Sequence, residues 1–162
     1  MDIEQSLSRY LSGYTLLKNQ LNKLSQEAIY YKPTADSWSI NEIIAHLADT
    51  EAHGYVMAKK IIAESGGGVC VYNQEIWSAQ LFYDKMNYQD GLAQIQILRK
   101  NLYEVLRLIP PNTWDYYIYH PDSGKITLTE WIMFYIDHID IHIRQIKQNS
   151  KSWSSMNKKE NV

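Results

Sequence analysis

The sequence predicts an all-α chain folded as a four-helix bundle, and three observations carry that prediction. Apolar residues recur at alternating steps of four and three over long stretches, two capping boxes open two of those stretches, and a glycine run and a proline pair end two of them. At 162 residues there is room for one domain with a full hydrophobic core, and not for two of ordinary size.

The first helix carries the seam Ile3, Leu7, Tyr10, Tyr14, Leu17, Leu21 and Leu24, which is interrupted by the segment from Lys32 to Ser39. Ser39 and Glu42 then form a capping box, in which hydroxyl and carboxylate satisfy the orphan amides of a new N-terminus. The helix it opens runs from about Ile40 to Ala63 and stops at Gly66 to Gly68. Residues 69–88 show little periodicity, although Gln74 to Tyr83 predicts a short extra helix with Ile76, Trp77 and Leu81.

A third long helix begins near Asp90, carries Ile95, Leu98, Leu102, Val105 and Ile109, and is stopped by Pro110 and Pro111. Trp114 to His120 is β-rich and is followed by the turn residues Pro121, Asp122, Ser123 and Gly124, which predicts a loop or small hairpin. Thr127 and Glu130 make the second capping box and open the fourth helix. The domain is expected to span residues 1–148, with a polar tail over 149–162 that is disordered at its end.

Composition excludes several classes of function. Net charge is −2, and the 16 basic residues are scattered, with no run longer than a pair such as Lys158 and Lys159, so a nucleic-acid footprint is missing. The single cysteine, Cys70, excludes an internal disulfide and any multi-cysteine metal site, so metal ligands have to be histidine or carboxylate. No basic neighbour is apparent to lower the Cys70 thiol pKa. The N-terminus lacks a basic region followed by an apolar run, and no stretch approaches the ~18 apolar residues of a membrane span, so a cytoplasmic protein without membrane attachment is expected.

The most informative feature is His138 and His142, four residues apart on an apolar helix, whose rings project from one side and can converge on one ion. At ~100° per residue, Leu128, Ile132, Ile136, Ile139, Ile143 and Ile146 form the core stripe of that helix, and the two histidines fall about 90° to one side with Trp131, Tyr135 and Gln145. Trp131 and Tyr135 are therefore expected to wall a cleft beside the ion rather than fill the central core. Asp140 points away as a solvated acid, and Asp137 lies on a flank.

The second helix repeats the pattern. Its core stripe is Ile40, Ile43, Leu47, Ala58 and Ile61, and His46 sits about 90° away beside Glu42, Asp49, Thr50 and His53, which makes His46 the best third ligand. A lone histidine beside an apolar stripe is ordinarily a hydrogen-bonded core residue; the paired spacing changes that balance. His53, two turns beyond His46, reads as a surface or cleft-lining residue, and His120 as an ordinary turn residue whose place relative to the cleft mouth the sequence leaves open. Asp49 reads equally as a surface acid or as a base for a metal-bound water, Gln145 as a residue that bonds either a ligand histidine or the metal-bound species, and Glu42 is explained by its cap.

The set Trp38, Ser39, Glu42, His46 and Leu47, followed about ninety residues later by His138, His142 and Gln145, resembles the DinB-like (YfiT-like) four-helix proteins over nearly the whole chain. That resemblance implies a divalent metal on His46, His138 and His142, often within a homodimer. It also implies relatives that act as metal-dependent hydrolases, or as transferases and isomerases that use a low-molecular-weight thiol. His53 and the glycine run fall outside the matching pattern.

The leading functional expectation is a metalloenzyme in which three histidines leave open positions on zinc, nickel or iron, activating water or an external thiol against a small electrophile. The alternative is a non-catalytic metal-binding or ligand-binding dimeric bundle.

Overall fold

The computed structural model describes residues 2–160. Four long helices make the body: α1 (Ile3–Leu21), α3 (Ile40–Ala63), α5 (Tyr88–Leu106) and α6 (Leu128–Glu160). The shorter α2 (Gln26–Tyr30) and α4 (Gln74–Gln80) lie in the connections, and β1 (Tyr117–His120) pairs antiparallel with β2 (Gly124–Thr127) in the hairpin before α6. Both capping boxes form. The Ser39 amide donates to Glu42 Oε2 at 2.8 Å and the Glu42 amide to Ser39 Oγ at 3.2 Å, while Thr127 and Glu130 repeat the exchange at 2.8 and 3.2 Å.

Helices α1 and α3 each pack against both α5 and α6. The pairs that follow one another in sequence, α1 with α3 and α5 with α6, therefore stand diagonally across the bundle. A plain up-and-down meander would instead have put α3 and α6 on the diagonal. The long connections through α2 and through the hairpin permit this order, and it makes neighbours of the two histidine-bearing helices.

The core is divided along the bundle axis. One apolar cluster includes Leu7, Tyr10, Met57, Leu102, Trp131 and Ile136, and a second includes Leu17, Ile43, Leu47, Ile95, Ile139 and Ile143. Between them lies a buried ion pair. Arg99 Nε donates to Glu51 Oε1 at 2.9 Å, and the remaining guanidinium nitrogens donate to Glu51, to the Tyr10 carbonyl at 2.6 Å and to the Tyr135 carbonyl at 2.7 Å. Both side chains are almost fully excluded from solvent, so one charge pair joins all four long helices at the waist.

Three features differ from the sequence reading. A separate α2, capped by Ser25, follows α1 where the apolar seam suggested a longer first helix. In α5 the buried positions are Ile95, Arg99, Leu102 and Leu106, so Leu98 and Val105 lie to one side of the core line. Helix α6 continues through residue 160, where a polar tail from 149 was expected. Its extension is tied back by Asn149 Nδ2 donating to the Trp38 carbonyl at 2.8 Å and by Trp153 against Tyr31. The expected disorder at the very end concerns residues outside the described range.

Candidate metal centre

His46 comes from the second turn of α3, and His138 and His142 from the middle of α6. The capping box at Ser39 fixes where α3 begins, and hence the direction of His46. His138 Nε2 stands 3.3 Å from His46 Nε2 and 3.0 Å from His142 Nε2. The three residues form a group that could hold one ion. His46 and His142 are buried and His138 is half-buried.

The hydrogen-bond accounting favours a cation here. Gln145 Oε1 accepts from His142 Nδ1 at 2.8 Å, which leaves His142 Nε2 as a bare lone pair aimed at His138. His138 Nε2 faces both other rings, so in the neutral protein only one of the two short contacts can be a hydrogen bond. A tetrahedral ion with nitrogen at ~2.0–2.1 Å needs nitrogen pairs about 3.3 Å apart, close to the spacing seen. The residues therefore fit a divalent ion. Trp38 packs against His46 with ring centroids 5.0 Å apart, and Phe134 stacks on His138 at 5.5 Å, which restricts both rings.

Burial, reinforced by the neighbouring His142, pushes His46 down to about 4; burial, with the other two histidines and Arg99, pushes His138 down to about 3. Burial also lowers His142, against the opposing bond to Gln145. Depressed imidazole values keep all three rings unprotonated at neutral pH, the state a metal needs. The unfolded chain binds these protons first, so the metal-free fold should lose stability as pH falls from about 6.5 towards 4. Chelator-treated protein is expected to melt at lower temperature at pH 5 than at pH 7. An unchanged or higher melting point at pH 5 would contradict the buried neutral rings.

A cavity of about 580 Å³ opens beside His46 and His138, walled by Trp131, Phe134, Tyr135 and Tyr72 and reaching His53, His120 and Glu130. Trp131 and Tyr135 line the cleft but, against the sequence expectation, also belong to the apolar core cluster of Leu7 and Tyr10, at 6% and 3% exposure. Gly54 makes room for this wall: a Cβ there would run into the Tyr135 ring, and its carbonyl accepts from Trp131 Nε1 at 3.2 Å. His53 joins the wall with both nitrogens engaged, Nε2 donating to the Cys70 carbonyl and Nδ1 accepting from Tyr135 Oη at 3.3 Å.

Residues 66–72 form a strap over the cavity. It is pinned to β1 through Gly66, Gly67 and Val69, and Gly66 holds φ +92 in the left-handed region. Thr50 donates to the His46 carbonyl at 2.8 Å, so Tyr72 donates to Thr50 at 2.6 Å and ties the strap to the ligand helix.

Asp49 is not brought into this cavity. Its Oδ2 accepts from Tyr83 Oη at 2.7 Å, and it borders a separate pocket with Cys70 and Trp77. Asp137 and Asp140 face Arg9 on the surface at 3.7 and 3.3 Å. Glu42 adds an ion pair with Lys32 at 2.8 Å to its capping role.

Sequence reasoning missed Glu51 and Arg99. A signal exists for Glu51, because the apolar stripe of α3 has a gap between Leu47 and Ala58, whereas Leu98 continues the apolar seam of α5 between Ile95 and Leu102 and hides Arg99.

Fold and site together define a four-helix bundle with a three-histidine centre at the contact of two non-consecutive helices. Residues 12–146 match the model of the DinB superfamily, and the chain belongs to that family. Among curated proteins it is 28% identical over 140 residues to a "Putative metal-dependent hydrolase" of Oceanobacillus iheyensis, covering 85% of this chain and 81% of the relative. To the protein of the same description from Bacillus subtilis, YfiT, it is 27% identical over 120 residues, covering 72% and 67%. The solved structure of YfiT superposes with a TM-score of 0.86 at 21% identity, covering 94% of this chain and 87% of that one. A mycothiol-dependent maleylpyruvate isomerase superposes at 0.72 and 12% identity, covering 90% of this chain and 61% of that one, a likeness of fold alone. Among the described residues no helix is long and apolar enough to cross a membrane.

Proposed function

We propose that this protein is a divalent-metal-dependent enzyme, a hydrolase or a low-molecular-weight-thiol transferase, acting on a small electrophilic molecule. The observation that carries this reading is the convergence of three Nε2 atoms at the inner end of an aromatic-walled cavity. A divalent ion held there supplies Lewis acidity and favours the anionic form of a water or thiol at neutral pH.

The chain's own residues supply the rest. Gln145 sets the tautomer of His142, and Trp38 and Phe134 restrict the other two rings. Trp131, Tyr135 and Tyr72 exclude water from the cavity and favour a flat or apolar substrate. Cys70 is exposed and its carbonyl is the part that meets the site, so a transferred thiol has to come from a cosubstrate. Nothing in the cavity is placed as an obvious carboxylate base, because Glu130 Oε2 serves the helix cap. That favours thiol transfer somewhat over hydrolysis, since a thiol is the easier group to ionise.

The test is metal analysis of the purified protein, followed by titration of its cobalt-substituted form with small thiols. Close to one ion per chain and a thiol-dependent change in the visible spectrum are expected. Stoichiometric metal with no response to any thiol or small anion at millimolar concentration would leave a metal-binding bundle without catalysis.

A further inference from the structure

Several of the polar groups that line the cavity are already paired. His53 uses both ring nitrogens, Tyr72 donates to Thr50, and Glu130 Oε2 accepts from the Thr127 amide and hydroxyl. His120 is different. Its Nδ1 accepts the turn amides of Asp122 at 3.2 Å and Ser123 at 3.3 Å, so the neutral ring carries its proton on Nε2. Among the described residues that Nε2 has no hydrogen-bond partner.

Strand alternation fixes the direction of the ring. Ile118 and His120 share one face of β1, Ile118 is 1% exposed against the bundle, and His120 lines the cavity with Ile126 and Ser123. Lys125, on the other face, rests its ammonium over the Tyr117 ring at 4.4 Å. Lys125 and Glu130 both border this space, but the Lys125 ammonium is engaged with the Tyr117 ring rather than aimed into it. A neutral acceptor therefore suits it better than an anion.

We propose that His120 is a substrate-binding residue whose Nε2–H receives a neutral carbonyl-type oxygen, an amide, ester or ketone, at the far end of the cavity. This rests on the functional reading above and names its substrate class: an elongated, partly apolar molecule with its electrophilic centre at the histidines and a carbonyl oxygen towards the hairpin. The length follows from α6, along which Glu130 and His138 are eight residues and hence about 12 Å apart.

The test compares three thiols of equal chain length on the cobalt-substituted protein: 8-mercaptooctanamide, 1-nonanethiol and 8-mercaptooctanoate. The amide is expected to bind roughly fivefold more tightly than the alkyl thiol, which leaves the Nε2–H desolvated and unpaired. The carboxylate is expected to gain no more than the amide. His120→Asn keeps an acceptor for the turn amides but withdraws the distal donor, and His120→Leu removes every polar atom; both should abolish the preference for the amide. Equal binding of amide and alkyl thiol, a stronger gain for the carboxylate, or a preference unchanged in both variants would each overturn the proposal.

A metal-free arm separates this outcome from the fate of the functional reading. In chelator-treated protein, N-methyl-3-phenylpropanamide should shift the His120 ring resonances in a nitrogen–proton correlation spectrum. Absence of that shift at millimolar concentration overturns the role of His120, whether or not cobalt responds to thiols. Its presence sustains the role of His120 even if no thiol reaches the metal.

Discussion

His142→Ala is expected to abolish stoichiometric metal binding while leaving the helical circular-dichroism signal nearly intact. His142 is the one ligand whose tautomer is set by a neighbour, Gln145, and its Nε2 is the lone pair facing His138 at 3.0 Å. Removing it leaves two imidazoles on different helices. The fold does not depend on the ion, because two apolar clusters and the Arg99–Glu51 pair hold the long helices independently. The melting point should still fall, because the variant loses the linked stability, about 2.7 kcal/mol when metal is present at a hundred times its dissociation constant. Metal content and circular dichroism of the variant are the two measurements. A variant that keeps one tight ion, or a metal-free wild-type protein that is unfolded, would sink the proposed site or its catalytic reading respectively.

Arg99→Leu is expected to destabilise the fold by about 3–5 kcal/mol, because it strands a buried carboxylate. The loss extends beyond the charge. The Tyr10 and Tyr135 carbonyls each lose a donor, and Tyr10 loses a guanidinium 4.5 Å from its ring centroid. Tyr135 lies one turn before His138, so the change also loosens the part of α6 that presents the ligand pair. Replacing Glu51 by Leu as well should recover part of the stability, since no unpaired charge then remains inside. Urea unfolding of the single and double variants reads both effects. A single variant costing under about 1 kcal/mol would show that the pair contributes little at the waist.

Those two residues mark the limit of what periodicity reveals. An amphipathic pattern assigns charged positions to the solvent face and so hides Arg99 and Glu51, although Glu51 occupies a gap in the α3 stripe. Scoring α5 on Leu98 and Val105 was the same error seen from the other side. The capping boxes at Ser39 and Thr127 were legible because they are local, and they fixed where the two ligand helices begin. With those starts in place, the ~90° offset of His46 and of the pair from their core stripes points the rings to one flank, and the helix order that makes α3 and α6 neighbours brings them together.

The remaining differences are tertiary in origin. Helix α2 has a Ser25 cap but too few residues for a periodic signal. Polar composition after Gln148 suggested a tail, yet Asn149 and Trp153 dock on the chain around Tyr31 and Trp38 and keep α6 helical. The inward direction of His120 depends on strand register, which composition does not contain.

The three clustered histidines sit on two long helices locked by caps and core, whereas much of the opposite cavity wall belongs to connections, the 66–72 strap and the β1–β2 hairpin. Connections tolerate replacement and insertion far better than packed helices. The two halves of the site can therefore diverge at different rates. Descendants could exchange the hairpin or lengthen the strap, and so inherit the same inorganic chemistry while acquiring a different clientele.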